Sequence, residues 1–449
     1  MRLPRIIWIP AALAALVLAG VLVWATRPSR PVAGSRLHVL FTGETLGELE
    51  PCNCSGRMAG GLPVRAAYIA RQESDFLLLD VGCVGNGTRD FELLRTQAAL
   101  RGMKQMGYDA VNIAEHELWL GRKGLDELMR LSVPFVSANT LDEDGAPAVL
   151  PYLILKRSGL AVAVTGLVES TRYETGPGLR VDDPREALAR LLPELRRKAG
   201  VIVVLADLEL DAVRSLADEF PEITLILFRG RGDSHAPELV NRTVVASVYG
   251  EARYIGDLTL AWESPRRLQA SGQAVLLDDR FAPNLDVIDA TINWYKAAVS
   301  QRTFDLAQPG PGWDRIRPQQ PDAGNRYVGS DTCAKCHPYQ YARWKVQRHA
   351  NAMDSLRKAG YEWSPECIVC HTVGYGSPDG YRSMQETPQF GRVGCEVCHG
   401  RGLILQHGNC RGLARRPTEQ TCRQCHTMTK HAAFDFQKQW AIIDHKEKK

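Results

Sequence analysis

Four pentapeptides constrain this chain more than anything else in it: CAKCH at Cys333, CIVCH at Cys367, CEVCH at Cys395 and CRQCH at Cys422. Their second thiols are Cys336, Cys370, Cys398 and Cys425, and each motif ends in an imidazole: His337, His371, His399 and His426. A bare Cys-x-x-Cys pair admits half a zinc site, a redox disulfide or a haem hook. Histidine is 11 of 449 residues, so four at this offset by chance is on the order of one in a few million on composition alone. A tetrathiolate zinc site has no use for the adjacent imidazole. Covalent c-type haem uses every position, because two thiols add across the porphyrin vinyls and the next side chain reaches the iron from one face. The expected cofactor is haem c, four per chain.

Haem of this kind is attached outside the cytoplasm, so an export signal is expected. MRLPR is followed by an uncharged apolar run from Ile6 to Ala25. About 20 apolar residues match a bilayer core and exceed the apolar part of an ordinary cleaved signal. Residues 1–32 are read as a signal anchor into the cytoplasmic membrane, with cleavage after Val23-Trp24-Ala25 as the alternative. Arg27, Arg30 and Arg36 on the far side weaken the argument for orientation. Either way the bulk of the chain is expected on the periplasmic side. The formal charge of +4 hides an asymmetry: residues 326–449 carry 19 Lys and Arg against 11 Asp and Glu, a net of +8, and the remainder is at −4. A basic segment can signal nucleic acid. Here the haem propionates offset the excess, so no nucleic acid is expected and the basic surface suits redox partner proteins.

Residues 326–449 read as a mainly α, haem-packed cytochrome domain. Aliphatic residues are sparse, so the porphyrins are expected to be the core, packed by Trp344, Trp363, Trp440, Ile442 and Ile443. Frequent Pro and Gly limit the helices to short lengths. For the second axial positions the candidates are His349, His407, His431 and His445, with Met353, Met384 and Met428 as the other possible ligands. Bis-His ligation keeps potentials below those of His/Met cytochromes. The run YVGSDTCAKCHPYQYARWKVQRHANAM, then CIVCHTVGYG and VGCEVCHGRG, resembles the cytochrome c-554 type of tetrahaem cytochrome over the whole tail. That resemblance implies His349, His407 and His445 as distal ligands. It also implies one five-coordinate haem, which leaves His431 aside. Which distal His serves which haem stays open.

Between residues 36 and 265 the pattern changes. Apolar runs such as LHVLFT, FLLLDV, AVAVTGL, VIVVLA and ITLILF alternate with helical stretches such as LPVRAAYIARQES and PREALARLLPELRRKA. This predicts an α/β domain with buried strands, and ligands in such folds sit at strand C-termini. The loops there carry TGETLGE, GCVGNG, EHEL, DLEL and RGRGD. With GGLPVRAAYI, MGYDAVNIAEHEL and PFVSANT they resemble the calcineurin-like metallophosphatases of the secreted 5'-nucleotidase branch, which implies a layered α/β sandwich. The metal pattern has been taken apart. The family's Asp-x-His falls on Glu44 and Leu46, its bridging aspartate on Cys83, and its Gly-Asn-His-Glu on Ala114, Glu115, His116 and Glu117. Its later histidines fall on Asp207 and a loop with no His before His235. A dimetal centre needs several converging hard ligands, and Leu46 offers none, so phosphatase activity is not expected.

Cys52, Cys54 and Cys83 lie on the site-facing loops and form a candidate redox site. They read as a structural disulfide, as a redox or sulfur site, or as a seat for a thiophilic metal beside Glu44, Glu115 and His116. Cys410 reads as an incidental thiol. Residues 266–325 hold an amphipathic helix over 283–301 and a Pro- and Gly-rich linker. The function expected from the sequence is electron transfer between redox partners. The alternatives are a redox or sulfur-transforming enzyme using Cys52, Cys54 and Cys83 with the haems as conduit, a docking module without chemistry in the α/β region, and an active 5'-nucleotidase.

Overall fold

The computed structural model describes residues 29–51, 58–170, 175–302, 304, 326–402, 416–427 and 434–445. Residues 1–28 of the expected anchor, Cys52, Cys54, His407, Cys410, Met428 and His431 lie outside the described residues, as does most of the linker. Among the described residues no helix is long and apolar enough to cross a membrane.

Two six-stranded sheets stack face to face. The first runs in the order β14 (Arg267–Leu276), β13 (Tyr254–Ser264), β1 (Arg36–Thr42), β2 (Phe76–Asp80), β3 (Ala110–Asn112) and β4 (Phe135–Val136). The second runs β11 (Glu238–Val240), β12 (Thr243–Val248), β10 (Leu225–Arg229), β9 (Val201–Asp207), β7 (Leu160–Val168) and β6 (Tyr152–Arg157). A short ribbon pairs β5 (Thr140–Asp142) with β8 (Leu179–Val181). Strands β1 to β4 of the first sheet and β7, β9, β10 and β12 of the second pair in parallel, while β13, β14, β11 and β6 pair antiparallel with their neighbours. The sheet continues through β14, past residue 265, where the sequence places the end of this domain.

Alternation along each strand explains the continuous apolar runs. Leu37, Val39 and Phe41 of β1 face the second sheet, where they meet residues such as Val203 and Leu227. Leu40, Leu78 and Val111 point the other way, under the helices Leu62–Ile69 and Asp90–Met106. Ile202, Val204 and Ile226 likewise point to the helices Pro184–Lys198 and Leu210–Glu219. The result is a helix–sheet–sheet–helix sandwich, the layered α/β fold that the sequence predicts. Where the sheets approach, the Asn112 side chain donates to Val81 O at 3.1 Å and Leu167 O at 3.0 Å. A Cβ on Gly166 would lie 2.0 Å from the Asn112 oxygen, so only glycine fits there.

The cytochrome segment consists of short helices, and the first cysteine of each motif sits on one of four of them: Ser330–Cys333, Pro365–His371, Cys395–His399 and Glu419–Arg423. Here the structure corrects the expectation of a core made of porphyrins alone. Met353, Leu356, Tyr361, Ile368, Val373, Tyr381 and Phe390 are buried in the same apolar cluster as Leu62, Leu94, Ile292 and Tyr295 of the α/β region. Segments too sparse to form a core of their own have joined their neighbour's. None of the five expected haem-packing residues belongs to this core: Trp344 is buried elsewhere, and Trp363 and Ile442 are 48% and 61% exposed.

Candidate functional site

The strand C-termini of both sheets converge on one edge, and there the loops after β1 and β2 take strained shapes. Glu44, Leu46 and Cys83 have φ of 50°, 52° and 58°, left-handed values that cost a side chain energy unless neighbours hold them. Glu117 is the holder. Its fully buried carboxylate accepts backbone N–H bonds from Cys83 at 3.1 Å, Val84 at 2.9 Å, Gly85 at 3.4 Å and Ala114 at 3.2 Å. Burial pushes its carboxyl up to about 7, against the pull of those four donors.

The centre of the site is a guanidinium. Arg229, at the end of β10, reaches Glu44 at 2.7 Å, Glu115 at 2.8 Å and Asp207 at 3.3 Å. Burial opposes its charge, and the surrounding anionic groups overcome that and hold it protonated. Arg231 adds contacts to Asp207 at 3.0 Å and Glu209 at 3.5 Å. Three carboxylates at the place expected for two cations are thus joined by an organic cation. Among the described residues no group of three or more His, Cys, Asp and Glu side chains could hold a metal ion. The sequence reading registered the missing histidines in the RGRGD loop and overlooked the arginine. An arginine at a strand end facing three acidic loop positions was the available signal.

The remaining candidates here are quiet. His116 donates Nδ1–H to Gly85 O, its ring lies 4.5 Å from that of Trp119, and burial lowers its pKa so that the ring is neutral. Cys83 is fully buried and forms no disulfide among the described residues. Burial lifts its thiol well above the ordinary value, and Asp207 and Glu117 add to that lift against Arg229. A protonated, enclosed thiol is a poor nucleophile. His235 is occupied by Glu238, with Nε2 at 2.8 Å.

In the cytochrome segment two histidine pairs face each other. His349 and His426 have ring centres 6.2 Å apart, and His399 and His445 have ring centres 5.8 Å apart. An iron held by two imidazole nitrogens at about 2 Å each, with roughly 1 Å from nitrogen to ring centre, separates the centres by about 6 Å. The spacing of these residues is thus compatible with a c-type haem at the third and fourth motifs, which His399 with His445 and His426 with His349 would hold. No such ring pairing is seen for His337 or His371 among the described residues, and His371 lies near enough to His349 for its charge to act on it. His371 donates Nδ1–H to Ala352 O at 2.9 Å, which leaves Nε2 as the ligating nitrogen. Side chains of Cys333 and Cys395 touch, as do those of Cys370 and Cys425. The motifs thus lie close enough for their porphyrins to be neighbours.

Residues 332–400 match the family Cytochrome c554 and c-prime. Cytochrome c-554 of Nitrosomonas europaea is 35% identical over 91 residues, covering 17% of this chain and 39% of its own. The 5'-nucleotidase of Vibrio cholerae is 28% identical over 150 residues, 31% of this chain and 27% of its own. That of Diplobatis ommata is 24% identical over 304 residues, 59% of this chain and 52% of its own. Among solved structures, a 5'-nucleotidase precursor from Thermus thermophilus superposes with a TM-score of 0.52 at 20% identity, covering 72% of this chain and 68% of that one. A calcineurin-like phosphoesterase from Bacillus subtilis gives 0.50 at 18% identity, covering 60% and 99%. The chain spans less than two thirds of the length of these curated relatives. It joins a region matching the cytochrome c554 family, whose members carry covalent c-type haem, to an α/β region with 5'-nucleotidase relatives and the calcineurin-like phosphoesterase fold.

Proposed function

We propose that this chain is an exported tetrahaem c-type cytochrome that carries electrons between redox partner proteins on the periplasmic side of the cytoplasmic membrane. Its α/β region retains the nucleotidase fold as a scaffold without metal chemistry. The observation that carries the reading is the opposition of His426 to His349 and of His399 to His445 at 6.2 and 5.8 Å. Haem supplies one-electron redox chemistry when bound. In each motif the thiols would hold a porphyrin and the imidazole would bind its iron, and His349 and His445 would be the second ligands at the fourth and third motifs. His407 is assigned to one of the remaining motifs. The apolar run at the N-terminus supports export, with the anchored form preferred to the cleaved one.

The intact mass of the mature protein is expected to show four haem increments; three or fewer would sink the tetrahaem reading. Replacing His349 with alanine is expected to convert one low-spin haem to high spin in the electron paramagnetic resonance spectrum. An unchanged low-spin signal would break the pairing with His426.

The enclosed thiol of Cys83 weighs against a cysteine-based enzyme, and Arg229 weighs against a nucleotidase. The purified protein is expected to release no phosphate from nucleoside monophosphates with added manganese. Metal-dependent release that persists through purification would restore the phosphatase reading.

A further inference from the structure

We infer that the α/β region forms one wall of the second haem site and that Arg95 sets the reduction potential of that haem. This rests on the reading above, that Cys367 and Cys370 carry a haem. Arg95 projects from the helix Asp90–Met106, is buried to 7% exposure, and forms an ion pair with Glu366, the residue before Cys367. The same carboxylate accepts from Tyr295 Oη at 3.1 Å and Ser364 Oγ at 3.3 Å. Tyr295 belongs to the helix Trp294–Ser300 and is fully buried. From the next position, Lys296 Nζ lies 4.4 Å from the Tyr361 ring centre and 3.6 Å from Glu50. Ile368, inside the motif, is buried in the core shared with the α/β helices, and Cys367 packs against that core. A porphyrin linked at Cys367 therefore has its attached edge at this domain boundary.

Charge at that boundary acts on the iron through a poorly screened interior. Reduction adds an electron, so a buried cation raises a haem's potential and a buried anion lowers it. Arg95 sits among the carboxylates of Glu366 and Glu48, and it is the cation that offsets them. Without it the second haem is left beside uncompensated negative charge and becomes harder to reduce. Without Glu366 the guanidinium is offset by Glu48 alone, and the haem becomes easier to reduce. The motif histidine touches neither group, so Arg95 is a positioning and tuning residue rather than a ligand.

The test is a spectroelectrochemical titration of the full-length holo-protein, native and with Arg95→Met, Arg95→Lys and Glu366→Gln. One component of the titration is expected to move to lower potential in R95M, the same component to higher potential in E366Q, and none in R95K. Where R95M yields no folded protein, the opposite-signed shift in E366Q against the unmoved R95K carries the decision. Four haems per chain with no shift, shifts of one sign in both variants, or all components moving together would overturn the inference alone. A haem count short of four, with Cys367 unmodified by peptide mass spectrometry, would overturn the haem reading beneath it as well.

Discussion

Replacing Arg229 with alanine is expected to cost the α/β region about 3–5 kcal/mol of stability, the usual loss when one partner of a buried ion pair is removed. The side chain is 11% exposed and touches three carboxylates, of which Asp207 is fully buried. The loss has two parts: the pairings disappear, and Glu44, Glu115 and Asp207 are left repelling one another. Arg231 stays on Asp207 at 3.0 Å and reaches Glu44 through its backbone N–H, at 3.3 Å. Glu115 is left with no guanidinium. Carboxylate oxygens suit hard divalent cations, and with the guanidinium gone the three side chains can turn towards a shared ion, so added manganese is expected to raise the melting temperature of R229A and leave the native protein unchanged. Thermal denaturation of both holo-proteins, with manganese and with chelator, measures this. A loss below about 1 kcal/mol would mean that water screens the cluster as it screens surface pairs.

That cluster also marks the limit of what the sequence disclosed. The haem motifs were legible because covalent attachment demands five fixed positions, and the strands were legible because burial on both faces writes unbroken apolar runs. Arg229 bonds to residues 185, 114 and 22 positions away, a constellation that leaves no local period or spacing. A search for missing metal ligands looks past a resident cation by design. The shared core was hidden for a related reason. Met353, Leu356, Tyr361 and Ile368 look like isolated apolar residues in a polar tail until the helices that receive them are in place. The histidines outside the motifs lie between the two cases. His349 and His445 stood out as spare imidazoles, but only the fold could say that they oppose His426 and His399.

Glu117 is expected to make the stability of the α/β region depend on pH through the neutral range, in the direction opposite to most carboxylates. Its ordinary value is 4.5 and burial pushes it up to about 7. Between those values the folded chain holds a proton that the unfolded chain has released. Stability from this group therefore grows as the pH falls through 7, levels off below 4.5, and is lost as the pH climbs past 7, by up to about 3 kcal/mol. Glu117→Gln keeps an acceptor oxygen and cannot titrate, so its denaturation midpoint is expected to lose this slope. Every other titratable group is common to both proteins, and the difference between the two curves isolates Glu117. Glu117→Ala removes the acceptor altogether. The N–H groups of Cys83, Val84, Gly85 and Ala114 are then left unpaired around a left-handed turn, at about 1–3 kcal/mol for each that water does not reach. A loss of about 4 kcal/mol or more is expected, with the loop of Cys83 opening first. That opening has its own readout, because a thiol released from burial falls towards its ordinary value and alkylates. Fast alkylation of Cys83 in E117A beside slow alkylation in the native chain would show that this one carboxylate keeps the thiol inert. Equal rates would mean that the loop holds its shape without it.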